Sequence, residues 1–295
     1  MWDYLYNEIQ IGITKHLARA ISLVENETSG YEAFLESLPT SNTSHIIGIT
    51  GPPGAGKSTL TDALIGELVS DKKKVAVLCV DPSSPFHLGA LLGDRIRMSN
   101  WHSHPDVFIR SLASRGSLGG LHPKIIEITD ILKAAAFDYI IIETVGVGQS
   151  EIEIAGIADT TIVVLVPESG DEIQTMKAGL MEIADIFIVN KADRPGADSF
   201  IHNMQQMLAP AFQHQKKEIP ILKIIATKKE GISSLKEKII QTKSSVNIER
   251  KMWLLAEKAY QLIKNKRMHD VSREDLKRKI ESMEDFNLYR FVNNY

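Results

Sequence analysis

Seven short apolar runs, each followed by a segment long enough for a helix, constrain the fold of this chain most. The runs are mostly rich in Val and Ile and lack polar alternation, which is typical of strands buried on both faces of a parallel sheet. They cover residues 45–50, 75–80, 107–110, 139–143, 161–166, 186–190 and 221–225. The pattern predicts an α/β fold with a doubly wound, mostly parallel sheet over residues 44–241.

An N-terminal helical extension is predicted over residues 1–43. Apolar residues recur there at every fourth position, which would place them on one helix face. They are Leu5, Ile9, Ile13, Leu17 and Ile21.

The strand pattern stops near residue 241. Two charged helices are predicted beyond it, over residues 247–266 and 271–292. Residues 242–295 would then form a C-terminal helical appendage and possible dimerisation arm, which packs either on the domain or on a second subunit.

Composition disfavours several classes of function. The formal net charge is −3, with Lys and Arg spread along the chain, so no nucleic acid or anionic membrane is expected as a partner. No apolar run reaches the roughly 18 residues of a membrane span, and the start of the chain lacks the features of a targeting segment. Cys79, the single cysteine, lies in an apolar run and suits the core of a protein in a reducing compartment. A cytoplasmic protein is therefore expected.

A phosphate-binding loop is predicted directly after the first apolar run. The residues Gly51-Pro52-Pro53-Gly54-Ala55-Gly56-Lys57-Ser58-Thr59 match G-x-x-x-x-G-K-[ST] and precede a helical segment. In such a loop, backbone N–H groups converge on the β-phosphate at the N-terminus of a helix. Lys57 is expected to contact the β- and γ-phosphates, and the Ser58 hydroxyl to ligate Mg²⁺. The strand, loop and helix order disfavours the alternative, an ordinary glycine-rich turn.

A second motif predicts which base is bound. Asn190-Lys191-Ala192-Asp193 ends a buried run, at the carboxyl end of a strand where open α/β sheets bind ligands. The Asp193 carboxylate can accept hydrogen bonds from N1–H and the 2-amino group of guanine, and adenine offers neither donor. Lys191 can cover the face of the base, and Asn190 can tie this loop to the phosphate loop. Together the motifs predict a P-loop GTPase that binds GTP or GDP.

Several longer motifs resemble one family. They are Thr50 through Thr59, Val80-Asp81-Pro82-Ser83-Ser84, Gly89-Ala90-Leu91-Leu92-Gly93-Asp94-Arg95-Ile96-Arg97-Met98, Glu143-Thr144-Val145-Gly146-Val147-Gly148-Gln149-Ser150-Glu151 and the motif at Asn190. In this order they are similar to motifs of the MeaB/ArgK family, the GTPases associated with methylmalonyl-CoA mutase, in the SIMIBI class of P-loop proteins. The likeness runs from about residue 17 to about residue 239.

The resemblance implies a function and partners. A protein of this family would be a GTP-driven chaperone that helps to load adenosylcobalamin into an acyl-CoA mutase and protects that mutase from inactivation. The resemblance also implies a homodimer, with the helical termini contributing to the dimer contact. Hydrolysis is expected to be slow without the partner, because no arginine that would stabilise transition-state charge is evident in the chain.

The same resemblance implies metal ligands. Asp81, Asp94 and Glu143 are the candidates beside Ser58, and one or two carboxylates suffice because Mg²⁺ retains several waters. Asp94 would lie in the segment that senses the γ-phosphate. The alternatives are a turn cap before Pro82 for Asp81 and an ordinary surface acid for Asp94.

Three further residues are candidates for the hydrolysis step, beside Lys57 and Asp94. Gly146 ends an E-x-x-G motif where many GTPases carry D-x-x-G, so its N–H is expected at the γ-phosphate. Gln149 could orient the attacking water, although a polar residue at the start of a helix is the other interpretation. Lys177 lies in a segment that resembles the family's additional mobile segment, where it would complete charge compensation when the mutase docks. A helix with an acidic first turn is the alternative for that segment.

One departure from the family pattern concerns the base pocket. Ile225-Ala226-Thr227 stands where the family usually has Ser-Ala before the last turn that contacts the base. A backbone N–H is independent of the side chain, so the Ala226 N–H is still expected to meet guanine O6.

Two other functions are compatible with a phosphate loop. A nickel-type metallochaperone GTPase would need a His-rich tract or paired cysteines, and the nearest feature is Trp101-His102-Ser103-His104-Pro105. A small-molecule kinase would transfer the γ-phosphoryl group to an acceptor, but the motif at Asn190 argues against a kinase that uses ATP.

Overall fold

Seven parallel strands form the sheet in the computed structural model of the chain. The structure describes residues 1–39, 43–81, 98–114, 121–144, 153–168, 183–215, 219–244, 248–268, 270–283, 286–293 and 295. For residues 81, 210–215, 244 and 248–251 it describes the backbone alone.

All seven predicted strands are confirmed. They are β1 (His45–Thr50), β2 (Val75–Asp81), β3 (Val107–Ala113), β4 (Tyr139–Glu143), β5 (Thr160–Leu165), β6 (Ile186–Val189) and β7 (Ile221–Lys223). Their order across the sheet is β3-β2-β4-β1-β5-β6-β7, and each neighbouring pair is parallel. The predicted doubly wound α/β fold is therefore confirmed.

Strand β1 lies at the centre of the sheet. Gly48 pairs with Ile142 on β4 and with Thr161 on β5. Because the chain leaves β1 between these two neighbours, the loop after β1 opens at the point where the strand order reverses. Ligands bind at this kind of crevice in open α/β sheets.

Helices cover both faces of the sheet in the first part of the chain. They are α1 (Trp2–Gln10), α2 (Thr14–Glu25), α3 (Tyr31–Glu36), α4 (Lys57–Ser70), α5 (Ile125–Ala134), α6 (Ala197–Gln215) and α7 (Ile232–Ser244). Buried residues of α1, α2, α3 and α5 share one apolar core with Ile46 and Ile140, whereas those of α4 and α7 share a second core with Ile47 and Ile141. Neighbouring residues of one strand thus face opposite layers, as expected for strands buried on both sides.

The N-terminal extension is interrupted at Ile13. The sequence pattern places this residue on one helix face with four other apolar residues, and those four are buried. Ile13 is 38% exposed, because α1 ends at Gln10 and Gly12 adopts a left-handed φ of +85° before α2 begins. The expectation of a shared face is therefore wrong at Ile13 alone.

Arg110 connects α2 to the edge strand β3. Its guanidinium donates to the Ser22 hydroxyl at 3.0 Å and to the Ala18 carbonyl at 3.4 Å, and it forms an ion pair with Glu25. Both charged side chains are largely buried, so this pair is shielded from water more than a surface ion pair is. The N-terminal helices are thus held to the sheet by polar as well as apolar contacts.

The chain divides into two units, Met1–Asn247 and Ile248–Tyr295. The second unit contains α8 (Ile248–Arg267), α9 (Arg273–Glu281) and α10 (Leu288–Asn293). The first predicted C-terminal helix agrees with α8, and the single helix predicted over 271–292 is instead two helices. Helix α7 extends to Ser244, past the predicted domain boundary at residue 241. Across the described residues, no helix is both long enough and apolar enough to cross a membrane.

Candidate nucleotide-binding site

The candidate phosphate loop lies between the carboxyl end of β1 and the first turn of α4. Gly51 and Gly56 have φ angles of +139° and +89°. A Cβ atom at Gly51 would overlap the carbonyl oxygen of Val164 on β5, and one at Gly56 would overlap the side-chain amide of Asn190. Both positions therefore require glycine, both for the backbone angle and for the close approach to neighbouring segments.

Lys57 is the first residue of α4 and is only 7% exposed. Its Nζ donates to the carbonyl oxygens of Gly51 at 2.8 Å and of Pro52 at 3.1 Å. The ammonium group thus lies inside the loop, at a helix N-terminus that itself favours anions. It is placed to exchange carbonyl oxygens for phosphate oxygens.

Ser58 and Glu143 meet behind the phosphate loop. The Ser58 hydroxyl donates to Glu143 Oε1 at 2.6 Å, and both residues are buried. Thr61, one turn further along α4, lies 2.9 Å from Glu143 Oε2. Since β4 is the neighbour of β1, its last residue, Glu143, falls beside the start of the helix that follows β1. Two of the predicted metal-binding residues are therefore in direct contact.

Asn190 bridges two loops through its side-chain amide. Its Nδ2 donates to the Ala55 carbonyl in the phosphate loop at 2.8 Å, and its Oδ1 accepts from the Ala226 N–H at 3.1 Å. The residue is 2% exposed, so these bonds satisfy groups that water does not reach. The tie between the base motif and the phosphate loop that the sequence predicts is present, and it extends to the turn after β7.

The base motif and the turn after β7 enclose a cavity of about 180 Å³. It is lined by Gly56, Thr59, Asn190, Lys191, Asp193, Arg194, Ile225, Ala226 and Thr227. Lys191 adopts a left-handed φ of +54° and donates from Nζ to the Gly54 carbonyl at 2.7 Å. Asp193 Oδ2 lies 3.8 Å from Lys228 Nζ, and its side chain is 43% exposed. A carboxylate is thus available at the rim of a cavity that adjoins the phosphate loop.

Arg194 places a positive charge at the same cavity. It forms an ion pair with Glu168, the last described residue after β5. The hydrogen bond from Arg194 holds the pKa of the Glu168 carboxyl below its usual range. The pair joins the base motif to Glu168, just after β5.

The family of the chain follows from a comparison with known proteins. The model of the methylmalonyl-CoA mutase-associated GTPase MeaB family matches residues 17–284. The chain belongs to this family. It is accordingly a GTPase that binds a guanine nucleotide.

Relatives in archaea, bacteria and animals support this membership. A Pyrococcus horikoshii protein, named only provisionally as a GTPase, is 48% identical over 247 residues, which cover 82% of this chain and 77% of the relative. The GTPase ArgK of Escherichia coli is 36% identical over 245 residues, covering 78% and 72%. The mitochondrial methylmalonic aciduria type A homolog of Caenorhabditis elegans is 44% identical over 148 residues, covering 50% and 37%.

Solved structures agree on the fold. The crystal structure of an LAO/AO transport system kinase superposes with a TM-score of 0.69 at 28% identity, covering 98% of this chain and 88% of that one. HypB of Helicobacter pylori, solved with nickel, gives a TM-score of 0.50 at 18% identity, with 77% and 95% covered. The second likeness concerns the fold alone.

Several residues predicted for this GTPase lie outside the described residues. They are Asp94, Gly146, Gln149 and Lys177. Asp81 ends β2, and only its backbone is described. The structure thus brings together the phosphate loop, Glu143 and the base motif, and the other roles stay predictions.

The Ala226 N–H has a hydrogen-bond partner within the protein. It donates to Asn190 Oδ1 at 3.1 Å, and its contact with guanine O6 stays a prediction. The next residue in the same 3₁₀ turn, Thr227, also lines the cavity and was missed. No local sequence signal distinguishes Thr227 from Ala226, because the contact with Asn190 joins segments that are distant in the sequence.

His104, one of the two histidines considered for a metal site, makes contacts within the protein. His104 Nδ1 accepts from the Asp106 N–H at 3.2 Å, and its ring packs edge-on against Trp101. Within the described ranges, no three His, Cys, Asp or Glu side chains group as a metal site.

Replacing Asn190 by alanine should loosen both loops at once. The change removes a donor and an acceptor and leaves the Ala55 carbonyl and the Ala226 N–H without this buried partner, at a cost of about 1–3 kcal/mol in unfolding free energy. GDP affinity should fall at least about tenfold, because both walls of the site lose their link. Chemical denaturation and GDP titration measure the two effects.

The matched control is Asn203→Ala, at an exposed position on α6. It should change neither quantity by more than the error of measurement. Equal behaviour of the two variants would show that the Asn190 bridge is dispensable.

Proposed function

We propose that this GTPase is a GTP-driven chaperone for an adenosylcobalamin-dependent acyl-CoA mutase of the methylmalonyl-CoA mutase type, and that it assists cofactor loading and protects the mutase. Binding of a guanine nucleotide is supported most directly by the Asn190 bridge, since Asp193 and residues of the phosphate loop line one cavity beside it. The mutase part is supported by the name of the matched family and by the C. elegans relative, which covers half of the chain. A cytoplasmic location is also proposed, because thiols stay reduced there and Cys79 is a buried free thiol.

In this proposal the pattern of hydrogen-bond donors and acceptors in the pocket selects the base. The Asp193 carboxylate accepts from N1–H and the 2-amino group of guanine, and a backbone N–H of the turn that holds Ala226 and Thr227 donates to O6. The stem of Lys191 lies over the base, since its Nζ is already held at Gly54. Adenine would leave Asp193 without its donors, and an unmatched polar group in a desolvated pocket lowers affinity.

The phosphates are proposed to lie in the loop Gly51-Pro52-Pro53-Gly54-Ala55-Gly56-Lys57-Ser58-Thr59. Lys57 would leave the carbonyls of Gly51 and Pro52 and contact the β- and γ-phosphate oxygens. An ammonium group already desolvated by the loop needs little rearrangement to do this, which suits electrostatic stabilisation of the transferred phosphoryl group.

The donors near Ser58 fit Mg²⁺. This ion prefers oxygen ligands and keeps several waters, so a hydroxyl and a carboxylate beside phosphate oxygens are enough. The Ser58 hydroxyl donates to Glu143 Oε1, and a hydroxyl that donates its proton can still ligate a cation through its oxygen. We assign Ser58 and Glu143 to the metal site, together with Asp81 and Asp94. When bound, Mg²⁺ would supply charge compensation for the phosphates.

Hydrolysis itself is assigned to residues outside the described ranges. Gly146 would donate its N–H to the γ-phosphate, Gln149 would orient the attacking water, and Asp94 and Lys177 would respond when the mutase docks. A partner accelerates hydrolysis only if it binds the hydrolysis-competent state better than the other states. Turnover by the isolated protein should accordingly be slow.

A homodimer is also proposed, with the α8 face at its contact. Met252, Trp253, Leu255, Tyr260 and Ile263 are all at least half exposed on this helix, and their spacing gathers them on one side. A large apolar face of this kind marks a protein contact surface.

Changing Ile263 to aspartate should weaken the dimer. A charge at an apolar contact is costly to bury, so the variant should dissociate at concentrations at least about tenfold higher than the wild type. Mass measured by light scattering over a dilution series decides this. A wild type that stays monomeric throughout would contradict the dimer proposal.

Asp193→Asn should move base preference from guanine to xanthine. The amide donor opposes the 2-amino group of guanine and matches the 2-oxo group of xanthine, and each such contact is worth about 1–3 kcal/mol. The ratio of GDP to XDP dissociation constants should therefore change by more than roughly tenfold. Asp198→Asn, at an exposed acid on α6, is the control and should keep the wild-type ratio. A variant at Asp193 that still prefers GDP would show that this carboxylate does not read the base.

The partner proposal is tested by GTP turnover with a cognate mutase. If Asp94, Gly146 and Lys177 act in hydrolysis when the mutase docks, phosphate release should rise at least about tenfold above the rate of the isolated protein. Lys57→Ala, with its phosphate contact removed, gives the background rate. Identical rates with and without a mutase that demonstrably binds would count against the chaperone mechanism.

A further inference from the structure

Thr61 is a buried polar residue that the phosphate-loop motif does not include. It lies on α4, one turn after Lys57, and has no exposed surface. Its Oγ1 lies 2.9 Å from Glu143 Oε2 and 3.0 Å from the Lys57 carbonyl oxygen. A hydroxyl at this depth is therefore placed between two acceptors.

The position of the Thr61 proton can be argued from these distances. A threonine hydroxyl has one proton, so it donates to one acceptor at a time. A bond to an ionised carboxylate is stronger than one to a neutral carbonyl. A proton directed at the Lys57 carbonyl would also leave Oγ1 lone pairs facing the carboxylate at 2.9 Å, which is repulsive. Donation to Glu143 is thus favoured.

The two carboxylate oxygens of Glu143 then accept hydrogen bonds from different side chains. Oε2 is held by Thr61, and Oε1 accepts from Ser58 at 2.6 Å. Fixing one oxygen fixes the plane of the carboxylate, and with it the direction from which Ser58 donates. The orientation of the Ser58 hydroxyl consequently depends on a residue outside the phosphate-loop motif.

We propose that Thr61 is a positioning residue, which orients Glu143 and through it the Ser58 hydroxyl toward the cation of the nucleotide site. This inference rests on the proposed function, because it takes Ser58 as a ligand of that cation. Partners that orient a ligand of a metal change metal affinity by about 10–100-fold when they are removed. The competing interpretation is that Thr61 only bonds back to its own helix, as buried helical threonines do.

The test is Mn²⁺ affinity of the GDP-bound full chain, measured by electron paramagnetic resonance, in Thr61→Val. Valine keeps the shape and removes the hydroxyl, so Mn²⁺ should bind about tenfold more weakly. GDP affinity measured in EDTA should change by less than about twofold, because the phosphate loop is intact. Thr61→Ser should recover Mn²⁺ affinity, since it restores the donor. If valine destabilises the fold, Thr61→Ala carries the same expectation.

Thr129→Val is the matched control. Thr129 is also a buried helical threonine, and its Oγ1 donates to the Ile125 carbonyl of its own helix at 2.5 Å. This variant should bind Mn²⁺ as the wild type does. Unchanged Mn²⁺ affinity in Thr61→Val, or a serine variant as weak as the valine variant, would overturn the positioning role.

Ser58→Ala separates this inference from the function on which it rests. If that variant loses Mn²⁺ affinity while Thr61→Val does not, the positioning role alone is wrong. If Ser58→Ala also binds Mn²⁺ normally, the metal site itself is misplaced, and the role of Thr61 is refuted with it.

Discussion

The side-chain amide of Asn190 is the contact on which the nucleotide site depends. It joins the Ala55 carbonyl of the phosphate loop to the Ala226 N–H of the turn after β7, and it is closed to water. An amide is one of the few side chains that can satisfy a carbonyl and an N–H together. The bridge therefore fixes the distance between the loop that holds phosphates and the loop that holds the base.

The parallel sheet makes this bridge possible. Strand β1 pairs with both β4 and β5, and β6 is the next strand beyond β5. The carboxyl ends of these strands meet at one edge, so the phosphate loop, Glu143 and Asn190 arrive there from distant parts of the sequence. Gly51 is required at the same edge because its backbone passes against the Val164 carbonyl. Gly51 is therefore constrained both by the packing of the sheet and by the shape of the phosphate loop.

The strands and the main site motifs could be predicted from the sequence because their signals are local. Buried parallel strands are continuous apolar runs, and the phosphate loop and base motif each occupy consecutive residues. The break at Ile13 was not predicted, because the apolar residues keep their four-residue spacing across the turn, although Gly12 is a local signal for a helix end. The division of the helix predicted over 271–292 into α9 and α10 was also not predicted.

Details of hydrogen bonding were also beyond the sequence. Whether Ala226 or Thr227 offers its N–H to a ligand depends on which one the Asn190 side chain reaches, and that is a matter of tertiary geometry. Thr61 gives no motif signal, because its importance arises only from the approach of β4 to α4. Local patterns therefore predict which residues form the site, whereas contacts between distant segments decide how each residue is used.

The central claim is that these contacts form a site for hydrolysis of a guanine nucleotide. Release of inorganic phosphate from GTP and from ATP, each with Mg²⁺ and without any acceptor, tests it most directly. The account predicts slow but measurable phosphate release from GTP by the wild type. With ATP, the wild type should release phosphate no faster than the Lys57→Ala variant does. Turnover only with ATP, and only when a small-molecule acceptor is supplied, would contradict it and identify a kinase instead.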